Sequence, residues 1–318
     1  MARKKFRILS IDGGGLRGMV PLMVLEKIEE QTGKRIHELF DMVVGTSTGG
    51  IIVCGVLASE DGKTPRLTLS QLMSLYRTKA NEIFPYRKGP RKWFQTARNI
   101  FRPKYRPDGL DRNLVEYFDG LGLSSMLKPG IVTTYDVKNN EVIMFKSRLA
   151  IWNKDMFDAP LRDVCRATSA APTYLPAYKM SYTGKERVLI DGGVYVNNPA
   201  MSAIADAVKC GINLSDIEVL SLGTGTHVER RADATKWGFG HWAKPISEVM
   251  MAGTSAATSY ECDYMLKKHV RVQVRIPNED MKEMDDSRKS TLDYIAGLVD
   301  TQVLDKETEW NRIMSFFS

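Results

Sequence analysis

The chain has no run of eighteen apolar residues; the longest approach, residues 42–58, is interrupted by Thr46, Ser47 and Thr48. A membrane-spanning helix therefore has no place in it, and membrane contact is expected to be peripheral. The start is basic (Arg3, Lys4, Lys5) but turns glycine-rich before an apolar leader core forms. Only four cysteines occur (Cys54, Cys165, Cys210, Cys262), with no C-x-x-C pair. That argues against a disulfide framework or a structural metal site, and suits small core residues in a reducing cytoplasm. Histidine is equally scarce: His37, His227, His241 and His269 are all there are. Repeats, low-complexity tracts and a clear linker are missing too, so residues 1–318 are expected to form one domain.

Hydrophobic residues make up 43% of the 318, enough to build a proper core. Lysine and arginine outnumber the acids 45 to 38, a net charge of +7 that favours an anionic partner.

Residues 41–55 are the most informative stretch. An apolar run (Met42, Val43, Val44) reads as a buried strand, and a second (Ile51, Ile52, Val53, Val56, Leu57) reads as a helix. Between them Gly45-Thr46-Ser47-Thr48-Gly49 fits G-x-S-x-G. In a strand–elbow–helix turn the serine backbone is strained and its flanks pass close together, which calls for Gly45 and Gly49. The turn would present Ser47 at a helix N-terminus, where free N–H groups favour developing negative charge. Against this stands a tight turn carrying a solvated serine.

The first strand, residues 6–11, runs into Asp12-Gly13-Gly14-Gly15-Leu16-Arg17-Gly18, with a helix expected from Pro21 to a stop near Gly33. Gly13, Gly15 and Gly18 also fit G-x-G-x-x-G, the dinucleotide fingerprint. That reading wants an acid at the end of the next strand, whereas this one ends in Gly45-Thr46-Ser47. The same loop can instead offer consecutive backbone N–H groups to an oxyanion, with Arg17 holding its shape.

Residues 70–84 have helical spacing. Residues 86–106 hold eight basic residues and no acid, and Trp93, Phe94, Ala97, Ile100 and Phe101 share one helical face. The pattern suits a helix lying in a membrane interface; a core-packed helix with a solvated basic face is the competing reading. Nucleic-acid binding is not expected, since no recognised motif accompanies the charge. Further strands are expected at 131–136 and 141–145 (a hairpin), 188–190, 217–222 and 270–276. Helices are expected at 161–171, after Pro199, and over most of 290–317. Strands alternating with helices imply an α/β fold: a three-layer arrangement with a mostly parallel central sheet and helices on both faces.

A serine hydroxyl needs a base to take its proton. Asp191 follows a strand, and Gly192 and Gly193 after it permit close approach. A buried carboxylate could act directly if burial raises its pKa. A Ser47–Asp191–His227 triad, in α/β-hydrolase order, is the alternative.

In this order, Asp12-Gly-Gly-Gly-Leu-Arg-Gly18, Gly45-Thr-Ser-Thr-Gly49, Ala167-Thr-Ser-Ala-Ala-Pro172, Asp191-Gly-Gly193 and Asn197-Asn-Pro199 resemble the patatin-like phospholipase family. The resemblance covers roughly residues 7–225. It implies a Ser–Asp dyad that hydrolyses acyl esters of membrane phospholipids through an acyl-enzyme. Ser47 would be the nucleophile and Asp191 its base. Gly13, Gly14 and Gly15 would form the oxyanion hole with Arg17 beside it, and neither metal nor cofactor would be needed. Length and motif wording further resemble bacterial members, some of them CBASS anti-phage effectors switched on by a cyclic dinucleotide such as cGAMP. On that reading the protein is cytoplasmic and peripheral to the inner membrane when active. A nucleotide-binding module using the Gly13–Gly18 loop, and a non-catalytic lipid-binding protein, are the alternatives from other classes.

Overall fold

The computed structural model describes residues 5–86, 102–227, 232–242, 245–278, 281 and 283–318. Trp93, Phe94, Ile100 and Phe101, the expected membrane-interface face, lie outside the described residues. Eight strands are β1 (Phe6–Ile11), β2 (Met42–Thr46), β3 (Gly130–Asp136), β4 (Glu141–Lys146), β5 (Tyr178–Tyr182), β6 (Lys185–Asp191), β7 (Ile217–Leu222) and β8 (Lys268–Val272). The helices that matter below are α1 (Met19–Thr32), α2 (Thr48–Leu57), α3 (Leu69–Arg77), α4 (Asp108–Phe118) and α5 (Leu161–Thr168). They continue with α6 (Ala200–Lys209), α7 (Ile246–Met265), α8 (Lys289–Val299) and α9 (Glu307–Met314). Among the described residues no helix is long and apolar enough to cross a membrane.

The strands form one mixed sheet in the order β5-β6-β3-β2-β1-β7-β8, with β4 paired to β3. The pairings of β1 with β2 and β7, of β2 with β3 and of β7 with β8 are parallel; those of β4, β5 and β6 are antiparallel. Successive side chains of a strand point to opposite faces, and both faces here are covered. Leu9, Val43, Val132 and Leu220 join a core with α1, α2, α3, α4, α5, α8 and α9. Their neighbours Ile8, Val44, Ile131 and Val219 join a second core with α6 and the end of α7. This is the expected three-layer α/β arrangement.

Local chemistry explains where the elements start and stop. Thr68 Oγ1 accepts from Gln71 N (3.2 Å) and Gln71 Oε1 accepts from Thr68 N (2.8 Å), a reciprocal cap that starts α3. The helix expected over 70–84 is in fact broken. Thr78 N and Lys79 N both donate to Ser74 O, which ends the first segment, and a separate turn, Ala80–Ile83, follows. The alternation at 270–276 likewise outlasts its strand: β8 stops at Val272, and an isolated bridge joins Thr226 to Arg275.

One topological detail places the functional residues. β4 runs along one edge of β3 for its whole paired length, from Ile131 to Asp136. The other edge is shared: β2 covers its first half, with Thr46 opposite Thr133, and β6 its second half, with Asp191 opposite Thr134. Since β2 runs with β3 and β6 runs against it, their C-terminal ends meet head to head at the junction of residues 133 and 134.

The close crossing of α2 over β1 predicts two opposite glycine phenotypes. A Cβ at Gly49 would lie 2.2 Å from the Ile11 carbonyl oxygen, whereas one at Gly253, on exposed α7, meets nothing within 4 Å. In denaturant melts Gly49→Ala should lose about 3 kcal/mol, and Gly253→Ala should gain about 0.5–1 kcal/mol.

Candidate active site

The turn at Ser47 is forced by contacts on both sides of it. A Cβ at Gly45 would stand 2.2 Å from Gly49 O, so the two glycines pass backbone against backbone. Ser47 sits between them at φ 54° and ψ −123°, in left-handed space that side chains avoid. Its N–H donates to Thr168 Oγ1 at 2.8 Å, and that hydroxyl donates in turn to Thr133 O at 2.7 Å. The strained residue is thus pinned to α5 and β3. Ser47 is also the N-cap of α2, whose first-turn N–H groups have no intrahelical acceptor.

Asp191 ends β6 directly opposite. A Cβ on Gly192 would meet Thr133 Oγ1 at 2.2 Å, so only glycine lets the chain turn over β3 there. The aspartate is 6% exposed. Gly193 N donates to its Oδ1 at 2.8 Å, and the nearby Ser47 hydroxyl also pulls its pKa down. Burial pushes its pKa up to about 6, against the pull of these two donors. A carboxylate ionised near neutrality and in touch with a hydroxyl can accept that hydroxyl's proton.

The glycine loop closes the same site from β1. Thr224 Oγ1 donates to Gly13 O at 2.7 Å, and Leu16 N donates to Met284 O at 2.8 Å. Gly15 takes φ 58° beneath Met284, and a Cβ on Gly18 would meet Thr48 Oγ1 at 2.3 Å. Gly13 departs from the expected trio of donors: its N–H is taken by the Asn197 carbonyl at 3.2 Å. Among the described residues the N–H groups of Gly14 and Gly15 meet no acceptor, and both glycines line the cavity that holds Ser47. Arg17 turns away from this cavity into a second one, where burial lowers its pKa to about 10 and leaves it cationic at neutral pH.

The Ser47 cavity holds about 900 Å³ and contains Ser47 and Asp191. Its walls are mainly apolar, among them Leu16, Ile51, Leu75, Phe84, Leu110 and Leu175. The second cavity, about 350 Å³, lies across the glycine loop and holds Asp12, Asn197, His227 and Arg271. His227 Nδ1 lies 2.6 Å from the Ile276 carbonyl, which can only accept, so that nitrogen carries a proton. The structure thus brings Ser47, Asp191, Gly14 and Gly15 together and sets His227 apart. Three contributors escaped the sequence reading. Thr133, which braces the elbow, carries no local signal, and Thr168 lies in the Ala167–Pro172 motif but was given no role there. Thr48 does carry a signal: as the residue after the serine it opens α2, and it lines the same cavity.

A family model described as patatin-like phospholipase matches residues 9–204, a span that contains the glycine loop, the elbow and Asp191. The chain belongs to the patatin-like phospholipase family. Members of that family are lipid acyl hydrolases. Patatin-T5 from Solanum tuberosum is 30% identical over 328 residues, which cover 91% of this chain and 81% of that one. Patatin-like protein 4 from Arabidopsis thaliana is 29% identical over 340 residues, covering 93% and 84%. Among solved structures, VipD from Legionella pneumophila matches with a TM-score of 0.43 at 13% identity, over 94% of this chain and 67% of that one.

Burial of Asp191 in this patatin-like site has a measurable consequence for stability. Its folded pKa lies above its unfolded value of 3.8, so the folded state holds the proton more tightly. The penalty for ionising it is absent below about pH 4 and complete above about pH 6, where it reaches the order of 2–3 kcal/mol. Asp191→Asn should therefore unfold at higher temperature than the parent at pH 8, and the gain should vanish at pH 4.

Proposed function

We propose that this protein is a serine lipid acyl hydrolase that cleaves fatty acyl esters of membrane phospholipids, with Ser47 as nucleophile and Asp191 as base. The observation that carries the reading is the strained Ser47 sharing one apolar cavity, large enough for an acyl chain, with the buried Asp191. In the first step Asp191 takes the Ser47 proton as Oγ attacks the ester carbonyl. The developing oxyanion falls to the N–H groups of Gly14, Gly15 and Thr48 at the start of α2. Asp191 then returns its proton to the leaving lysolipid. In the second step water adds to the acyl-serine and releases the fatty acid.

The substrate is part of a bilayer, so the cavity mouth must face one. Three apolar side chains are exposed around that mouth: Val194 (37%), Ile246 (42%) and Met250 (54%). Val194 and Met250 also line the cavity, and Ile246 lies one helical turn from Met250 on α7. This rim supports peripheral docking on a lipid surface. Regulation by a cyclic dinucleotide draws its support from the bacterial resemblance and from the net charge of +7.

Ser47→Ala and Asp191→Ala should each lower hydrolysis of a soluble fatty acyl ester by about 10⁴-fold or more while leaving the melting transition cooperative. Near-parental rates in either variant would refute the dyad. For the parent, kcat/KM should climb with pH below about 6 and level off above it, as the base ionises.

Ile246→Glu should slow hydrolysis of phospholipid vesicles about tenfold, because a charge on the rim resists entry into the bilayer, and should spare the soluble ester. Equal rates on vesicles would remove the docking surface. Product analysis on mixed phospholipids, with and without cyclic dinucleotides, identifies the acyl position cleaved; identical rates throughout would remove the gating.

A further inference from the structure

Among the buried polar groups that the two-step cycle leaves unused is the side chain of Asn197. Asn197 is 8% exposed, and its Nδ2 donates to Ser255 Oγ on α7 at 3.2 Å. Its Oδ1 is buried and meets no donor among the described residues. A buried amide oxygen left in that condition costs about 1–3 kcal/mol, so its retention calls for a ligand.

Geometry says where such a ligand would sit. A Cβ built on Gly13 would stand 2.6 Å from Asn197 Oδ1 and 3.2 Å from Ser47 Cβ. One built on Gly193 would stand 3.2 Å from Asp191 Oδ1 and 3.5 Å from Asn197 Oδ1. The amide oxygen therefore packs near both the serine and the carboxylate, across two glycines whose lack of a side chain allows the close approach. Asn197 and Gly13 also belong to the second cavity, whose lining includes the polar Thr224, Ser255, Ser259 and Gln273.

We infer that Asn197 Oδ1 positions the hydrolytic water, and that this water reaches the acyl-enzyme through the second cavity. The inference rests on the Ser47–Asp191 reading. An acyl chain in the apolar cavity bars water from that side, so deacylation needs another path. A water between the two residues donates one hydrogen to Asp191 and the other to Asn197 Oδ1, which turns a lone pair toward the acyl carbon. Its oxygen bonds to that carbon as Asp191 takes a proton. The tetrahedral adduct then collapses, the carbon–Oγ bond breaks, Ser47 recovers the proton from Asp191, and the fatty acid departs. Asn197 is thus a positioning residue for the second step and idle in the first.

Separating the two steps tests this. With a p-nitrophenyl fatty acyl ester, rapid-mixing release of p-nitrophenol reports acylation, and intact-mass decay of the acyl adduct reports deacylation. Asn197→Ala should keep the acylation rate within about twofold while deacylation slows about 10–100-fold, so that the acyl-enzyme accumulates. Ser255→Leu, which crowds the second cavity from α7 without touching Ser47 or Asp191, should show the same split if Asn197→Ala fails to melt cooperatively. A fall in both rates together would reassign the amide to the oxyanion or to the fold, and unchanged rates would give it no role; either result overturns the inference. A Ser47→Ala protein that still forms an acyl adduct would instead sink the serine reading itself.

Discussion

The site exists because two strands end against the same edge of a third. β2 and β6 divide one side of β3 between them, and their C-termini abut at Thr133 and Thr134. Residues 47 and 191 are far apart in sequence, and this division alone makes them neighbours. Everything close to the junction is built to tolerate the crowding. Gly45 and Gly49 let the elbow pass itself, Gly192 lets β6 turn over Thr133, and Gly13 leaves room between Ser47 and Asn197. A side chain at one of these positions would push apart the groups that the sheet brings together.

Crowding also excludes water, and that sets the chemistry. Asp191 would be a weak base in solvent, ionised far below neutrality. Burial raises its proton affinity, while the Gly193 N–H and the Ser47 hydroxyl keep it from remaining protonated at neutral pH. Histidine is not needed for this balance, and His227, held by the Ile276 carbonyl across the glycine loop, takes no part in it. Two cavities meet at the glycine loop, the larger holding Ser47 and Asp191 and the smaller holding Asp12, Asn197 and His227.

Much of this could be read from the sequence wherever the constraint is local. The elbow needs glycine at fixed spacing on both sides of a serine, and β1, β2 and α2 announce themselves as apolar runs. What escaped was long-range or weakly patterned. β5 alternates Tyr178, Met180 and Tyr182 on one face before a turn at Thr183 and Gly184 with φ 53° and 72°, a hairpin signal left unread. Its partner β6 consequently looked like three residues instead of the seven of Lys185–Asp191. The twenty-residue α7 escaped because Thr258 and Cys262 are its only buried residues, so it lacks an apolar stripe. The loop donors were legible as a group, but the loss of Gly13 to the Asn197 carbonyl depends on a residue 184 positions away.

Covalent capture of the serine as a function of pH probes the pair most directly. A fluorophosphonate should modify Ser47 alone, at a rate that rises through about pH 6 in the parent and is slow and flat in Asp191→Asn. Modification at another residue, or the same pH profile with and without the carboxylate, would contradict the account.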